Sequence, residues 1–280
     1  MPELPEVETI ARDLNAAGVV GRTLTCAHVY WPGTIATPSV QDFCRLIEKK
    51  TIAGVRRRGK FLVFDLFDGG NLLMHLRMSG RLHWVSEDSP RMAHEHVVLS
   101  FTDGSELRFH DTRKFGRIYL TPDADKILDR LGPEPLDPAF TPQRLQKMMS
   151  HRNRRVKALL LDQTFIAGLG NIYTDEALWE AKIHPQRPAA KLTPQEARVL
   201  HAAIQKVLRR GLKNLGTSLG TGKANFYSVG RRRGRNREEL KVFRRTGEPC
   251  PRCATEIRRI IVGQRGTHVC PKCQKLSPRT

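Results

Sequence analysis

Met1-Pro2-Glu3-Leu4-Pro5-Glu6-Val7-Glu8-Thr9-Ile10 opens the chain, and the remaining segments are read outward from it. Val7, Ile10, Ala11 and Leu14 recur at helical spacing, Pro5 suits a first turn and Gly18 a stop, so the chain is expected to begin with a helix. A chain beginning Met-Pro readily loses its methionine, because the second side chain is small. Pro2 would then carry a free secondary amine. Since α-amino groups titrate at about 7.7–8.0, part of the population is an unprotonated nucleophile at neutral pH. Glu3 adds a carboxylate one residue away, suited to general acid–base work. The positive end of the helix favours Glu3 and Glu6 as anions. Proline and glutamate also open helices simply because they cap them well, so these residues alone leave both readings open.

The 280 residues give room for two or three domains with modest cores. Against 28 acidic residues stand 48 basic ones, a formal charge of +20. Such a field favours nucleic acid or an anionic membrane as partner. No apolar run approaches the ~20 residues needed to span a bilayer, and no signal-peptide pattern opens the chain. The expected compartment is the cytoplasm. Of six cysteines, Cys26 and Cys44 stand apart, while four form Cys250-x2-Cys253-x16-Cys270-x2-Cys273. Four thiolates in two such knuckles suit one tetrahedral Zn2+, and a shell closed by four protein ligands is structural, not catalytic. Between the knuckles, residues 257–262 and 267–269 read as hairpin strands with Gly263-Gln264-Arg265-Gly266 at the tip.

Residues 20–135 read as mostly strand, with β-rich runs at 23–30, 61–67, 71–78, 96–101 and 107–111 and a second helix near 38–49. Trp31-Pro32-Gly33, Asp68-Gly69-Gly70-Asn71 and Asp103-Gly104 are the turn signals between them. A sandwich or barrel with the first helix packed against it is expected. Arg56-Arg57-Arg58-Gly59-Lys60 reads as a basic loop, either a solvated face or a phosphate site. His75-Leu76-Arg77-Met78-Ser79-Gly80 and His110-Asp111-Thr112-Arg113-Lys114-Phe115-Gly116 end strands at turns. Met78 and Phe115 suit a core there, or, if exposed, a wedge between bases. His94-Glu95-His96 reads as a surface pair on a strand. Pro133, Pro135, Pro138 and Pro142 mark a linker over residues 132–145. Helical spacing follows at 144–149, 156–161, 175–181 and 194–214, with Thr193-Pro194-Gln195-Glu196 as a capped start. Gly168-Leu169-Gly170-Asn171 before one helix suits either a phosphate or a tight connection. Residues 215–248, broken by Gly216, Gly220, Gly222, Gly230 and Gly234 and strongly basic from Ser228 onward, are expected to be a mobile loop.

Taken together, MPELPEVETI, the HLRMSG and HDTRKFG runs, GLGNIYTDEALWEAKIHP and the four-cysteine pattern resemble the bacterial formamidopyrimidine-DNA glycosylases over most of the chain. The resemblance implies an α+β multidomain fold: an N-terminal β-sandwich with a terminal helix (1–133), a helix-two-turns-helix domain (134–225), a basic flexible loop (226–242) and a zinc-finger hairpin (243–280). It implies a bifunctional glycosylase/AP lyase of base excision repair. Such an enzyme excises oxidised purines (8-oxoguanine, formamidopyrimidines) through a Schiff base at Pro2, followed by β,δ-elimination. Glu3, Lys60 and Arg265 would assist catalysis. His75, His94, Arg113, Arg152 and Asn171 would contact DNA, and Met78, Arg113 and Phe115 would fill the gap left by the everted base. The implied partner is damaged double-stranded DNA, bound by a monomer at a bacterial nucleoid. The basic run Arg231-Arg232-Arg233-Gly234-Arg235 departs from the family's less basic loop. Two other readings are an endonuclease VIII-like enzyme for oxidised pyrimidines, against which ELPEV argues, and a non-catalytic zinc-containing DNA-binding protein.

Overall fold

The computed structural model describes residues 2–219, 226, 227, 229 and 232–276. Two compact units divide the chain, and neither is a continuous segment: unit 1 is Met1–Asp129 with Asn214–Arg235, and unit 2 is Arg130–Lys213 with Asn236–Thr280.

Unit 1 begins with helix α1 (Leu4–Ala16), whose Leu4, Val7, Ile10, Ala11 and Leu14 are buried as their spacing requires. Gly18, in the left-handed region at φ 74°, ends it. Then follow β1 (Leu24–Val29), β2 (Ile35–Thr37), α2 (Val40–Ile47), β3 (Ile52–Arg58), β4 (Phe61–Leu66), β5 (Asn71–His75), β6 (Arg81–Ser86), β7 (Glu95–Phe101), β8 (Ser105–His110), β9 (Arg117–Thr121) and the short α3 (Asp125–Leu128). One sheet has the order β1-β7-β8-β6 and the other β2-β9-β5-β4-β3. Leu62, Phe64, Leu72 and Met74 of the second sheet share one core with Leu82, Val97, Leu99, Leu107 and Phe109 of the first, so the expected sandwich is formed. Helix α1 packs on β3 and β4.

Five strands differ from expectation. The basic run at 56–60 is not a loop: Arg56, Arg57 and Arg58 end β3, and Gly59-Lys60 alone make the turn into β4. Only Ile52 and Val55 of β3 are buried, and the arginines on its outer positions hid the pattern. Strand β2 is only three residues long, and β6 and β9 bury one residue each, Leu82 and Ile118, so none of them carries a strong alternating pattern. Strand β5 stops at His75, because the chain turns at Arg77 with φ 52°.

Unit 2 holds α4 (Pro142–Met149), α5 (Val156–Leu160), α6 (Asn171–Glu180), α7 (Pro194–Lys213) and a hairpin of β10 (Arg258–Val262) and β11 (Arg265–Val269). Pro142, expected in the linker, is the first residue of α4 behind a Thr141 cap. Thr193 and Glu196 cap α7 reciprocally, at 3.2 and 2.8 Å. Helix α6 is buried from Ile172 to Trp179 and is the centre of the unit. The hairpin tip is only Gly263-Gln264, since Arg265 already pairs with Val262.

The expectation of a mobile 215–248 is corrected over its second part. Asn236–Glu239 forms a 3-10 turn, and the N–H groups of Lys241, Val242 and Phe243 donate to the buried Glu176 carboxylate at 2.9, 2.9 and 3.0 Å. Gly220, Gly222, Ser228, Gly230 and Arg231 lie outside the described residues.

Candidate functional site

In unit 1 the start of α1 is built as a buried cap. Pro2 is buried, and Glu3 and Glu6 are 2% and 1% exposed. The Glu6 carboxylate accepts the Glu3 N–H at 2.8 Å and, with its other oxygen, the Thr217 N–H at 2.7 Å. Gly216 is required beside it: its φ is +82°, and a Cβ there would lie 2.8 Å from Glu6 Cγ. The register of α1 on β3 fixes the direction of the helix. Asn15 donates to the Val55 carbonyl at 2.7 Å, and Arg57 reaches Glu8 at 3.1 Å. The helix start is therefore directed toward the Gly59-Lys60 turn, which Arg57 braces by donating to the Gly59 carbonyl at 3.0 Å.

Lys60 is 5% exposed. It lies close enough to His75 to act on its ionisation: burial first, then the Arg77 and Lys60 cations, push the His75 imidazole down to about 3. A neutral ring results. Its Nδ1 accepts the Arg77 N–H at 3.0 Å, so the proton sits on Nε2 as a donor. Phe61 packs edge-on to this ring at 4.7 Å. Beyond β5 and β8, Met78 and Phe115 are 42% and 46% exposed, which selects the surface reading over the core one. Arg113 lies over the Phe115 ring at 4.8 Å. His94 is exposed, in the turn before β7.

Unit 2 joins Asn171 to the hairpin. Asn171 opens α6 and donates through Nδ2 to the Gly266 carbonyl at 2.9 Å, next to the exposed Arg265. Lys157 Nζ donates to the same carbonyl at 3.2 Å and to Asp175 Oδ1 at 2.6 Å. Asp175 Oδ2 takes the His268 N–H at 2.9 Å and contacts its Nδ1 at 3.0 Å. Sequence reasoning passed over Lys157, Asp175 and His268. The available signal was a lysine inside the apolar run Val156-Lys157-Ala158-Leu159-Leu160. Arg152 is apart from this group and exposed, lining a cavity of about 150 Å³ with Arg154 and Asp162.

The four cysteines converge at the base of the hairpin, with all four sulfurs within 4.8 Å of one another. Three of their separations are 3.4, 3.5 and 4.0 Å. A tetrahedron with metal–sulfur bonds of about 2.3 Å requires about 3.8 Å between sulfurs, so the donor set fits a metal ion. Without a cation the crowding is costly for thiolates: burial and the neighbouring sulfurs push Cys273 up to about 12, while hydrogen bonds with Thr255 hold Cys253 down at about 6. Trp179 Nε1 of α6 donates to Cys250 Sγ at 3.4 Å, and Trp179 shares a small core with Val242, Ile257 and Cys270. The helical part thus completes the core of the finger.

A sandwich opened by a capped Pro-Glu helix, with a helical unit bearing a four-cysteine hairpin, defines a protein of the helix-two-turns-helix class. Profiles of the Formamidopyrimidine-DNA glycosylase N-terminal domain, the Formamidopyrimidine-DNA glycosylase H2TH domain and the zinc finger found in FPG and IleRS match residues 1–118, 131–222 and 247–276. The chain belongs to the formamidopyrimidine-DNA glycosylase family. A formamidopyrimidine-DNA glycosylase of Protochlamydia amoebophila is 46% identical over 275 residues, covering 98% of this chain and 100% of its own. Another, from Symbiobacterium thermophilum, is 46% identical over 291 residues, covering 100% and 93%. Among solved structures, the Lactococcus lactis Fpg bound to a Fapy-dG containing DNA superposes with a TM-score of 0.89 at 36% identity, covering 98% and 100%. Its complex with an abasic site containing DNA gives 0.89 at 37% identity, with the same coverage. No helix among the described residues is long and apolar enough to cross a membrane.

Proposed function

We propose that this protein removes oxidised purines, 8-oxoguanine and formamidopyrimidines, from double-stranded DNA and cleaves the strand at the resulting site. The observation that carries the reading is the capped, buried Pro2-Glu3 start directed at the Lys60 turn, in a chain similar over its whole length to DNA glycosylases. With Met1 removed, the Pro2 nitrogen attacks the sugar C1′ as the glycosidic bond breaks, and the base leaves with a proton. The C1′–O4′ bond then opens, its oxygen taking a proton from Glu3, and the ring-opened iminium that results is a cationic electron sink, so the C2′ proton becomes acidic. Loss of that proton expels the 3′ phosphate, and a second elimination expels the 5′ phosphate. Glu3 carries protons to and from the sugar. Lys60 and Arg265 hold the phosphates whose departure completes each elimination.

His75, His94, Arg152 and Asn171 bind the backbone, and Arg113 meets the base left unpaired. Met78, Arg113 and Phe115 fill the gap, which their exposure permits. One Zn2+ on Cys250, Cys253, Cys270 and Cys273 supplies folding energy to the hairpin that carries Arg265. The protein acts as a monomer at the nucleoid. Chemistry is assigned to segment 1–133 and DNA grip to 134–225 and 243–280.

Borohydride trapping on a duplex with an abasic site is the test. The processed protein should become covalently attached, and a variant with one residue added before Pro2 should bind DNA without being trapped. Equal trapping of the blocked variant would overturn the assignment of Pro2.

A further inference from the structure

Asp111, the residue after β8, is wholly buried, and every hydrogen bond it makes leads to one surface. Its Oδ1 accepts from Ser79 Oγ at 2.5 Å and from the Arg113 N–H at 3.2 Å, and its Oδ2 accepts from the Gly116 N–H at 2.7 Å. Its own N–H donates to the His94 carbonyl at 2.9 Å. Its carbonyl meets His96 Nε2 at 2.8 Å and the Lys114 N–H at 3.3 Å. One residue therefore ties together three segments that are distant in sequence: 76–80, 94–96 and 111–116. These segments carry Met78, His94, Arg113 and Phe115, whose side chains face solvent. The loops are also closed tightly around it. A Cβ on Gly80 would lie 2.5 Å from the Leu76 carbonyl oxygen, and one on Gly116 would lie 2.3 Å from the Phe109 ring. On the outer side, Lys114 Nζ sits 3.9 Å from the Trp31 ring centre.

We infer that Asp111 is a positioning residue that fixes the spacing between Met78 and the Arg113–Phe115 pair, so that both enter the duplex as one preformed wedge. The inference rests on the wedge role proposed above. Asp111 touches no DNA in this scheme. Opening a base stack costs free energy, and loops that had to be ordered in the same step would add their own conformational entropy to that cost. A buried carboxylate accepting three donors removes that second cost in advance. It suits the task better than an amide, which has one acceptor oxygen where these loops present donors to two.

The test compares single-turnover excision of 8-oxoguanine from a duplex with strand cleavage at a preformed abasic site, where no base has to be everted. Asp111→Ala should slow excision by about 100-fold, the scale of a 1 Å misplacement, and slow cleavage at the abasic site far less. Asp111→Asn, which keeps one acceptor and can donate to Ser79, should recover much of the loss. Met78→Ala should slow excision in the parent but add almost nothing in the Asp111→Ala background, since the wedge is already lost there. Ser79→Ala severs only the link to the Met78 loop and should give a smaller loss in the same direction; it decides the matter should Asp111→Ala fail to fold. Equal losses on both substrates, or Met78 and Asp111 effects that multiply in full, would overturn the positioning role. If Met78→Ala slows excision while the Asp111 and Ser79 variants do not, Asp111 alone is misassigned. If Met78→Ala has no effect in the parent, the wedge reading falls and this inference falls with it.

Discussion

Replacing Lys157 by methionine, of similar length but uncharged, isolates the cost of a single buried charge in unit 2. Lys157 and Asp175 side chains are both 0% exposed and 2.6 Å apart. Without the ammonium, the Asp175 carboxylate keeps only its His268 contacts, and the Gly266 carbonyl keeps the Asn171 amide. Breaking a buried pair by removing one partner costs about 3–5 kcal/mol, because the other charge stays in a low-dielectric site. For a unit of this size, 1 kcal/mol shifts the midpoint by about 3–5 °C, so its calorimetric transition should fall by about 10–20 °C. The assay is differential scanning calorimetry of the metal-replete full chain. The double variant Lys157→Met with Asp175→Asn should recover most of the loss, since no lone charge remains. A single-variant loss below about 1 kcal/mol, or a double variant as damaged as the single one, would refute the reasoning.

Three further outcomes are expected. His75 is held at about 3 when folded against 6.5 as its reference, so the unfolded chain binds the proton more readily. Its stabilisation is complete above about pH 6.5 and is lost as the pH falls toward 3; His75→Gln should flatten the urea midpoint against pH between about 4 and 6.5, and an unchanged slope would count against it. Cys250→Ser should lower zinc content and expose Trp179, read as a red-shifted emission and loss of near-ultraviolet dichroism, and retention of full zinc would show that three thiolates suffice. Arg265→Ala and Lys60→Ala should each weaken binding to damaged and plain duplex alike and reduce the slope of log affinity against log salt by about 0.9, the value of one phosphate contact. Parent-like slopes would remove both from the backbone contacts.

Much of the fold was legible because its signals are local. The spacing of Val7, Ile10, Ala11 and Leu14, the Thr193–Glu196 cap and the cysteine knuckles each lie within one short continuous stretch of chain. What was not legible depends on partners far away in sequence. Strand β3 looked like a basic loop because its arginines belong to an edge strand, whose inner residues are covered by α1. The basic stretch after residue 235 looked unstructured because nothing near it announces that Glu176 will accept its backbone N–H groups. The same limit holds for the site. Met78 and Phe115 could be named from their motifs, but whether they were core or surface depended on a sandwich that spacing alone does not draw. Asp111 had a local signal, since an aspartate accepting the N–H two residues on is an ordinary Asx-turn. Its reach to Ser79, 32 residues away, had none.

The discontinuity of unit 1 sets an order of events during synthesis. Glu6 leaves the ribosome early, but the Thr217 N–H that its carboxylate accepts lies 211 residues downstream. The Arg232 guanidinium that pairs with Asp13 is 219 residues downstream. At about 5–20 residues per second, that is a wait of roughly 10–40 s. During that interval the sandwich can assemble, yet the turn that carries Pro2 and Glu3 lacks its distal brace. The N-terminal helix is therefore among the first parts to be made and among the last to be set. Any amine chemistry at Pro2 in a nascent or truncated chain ending before residue 217 would proceed from a looser start than in the finished protein.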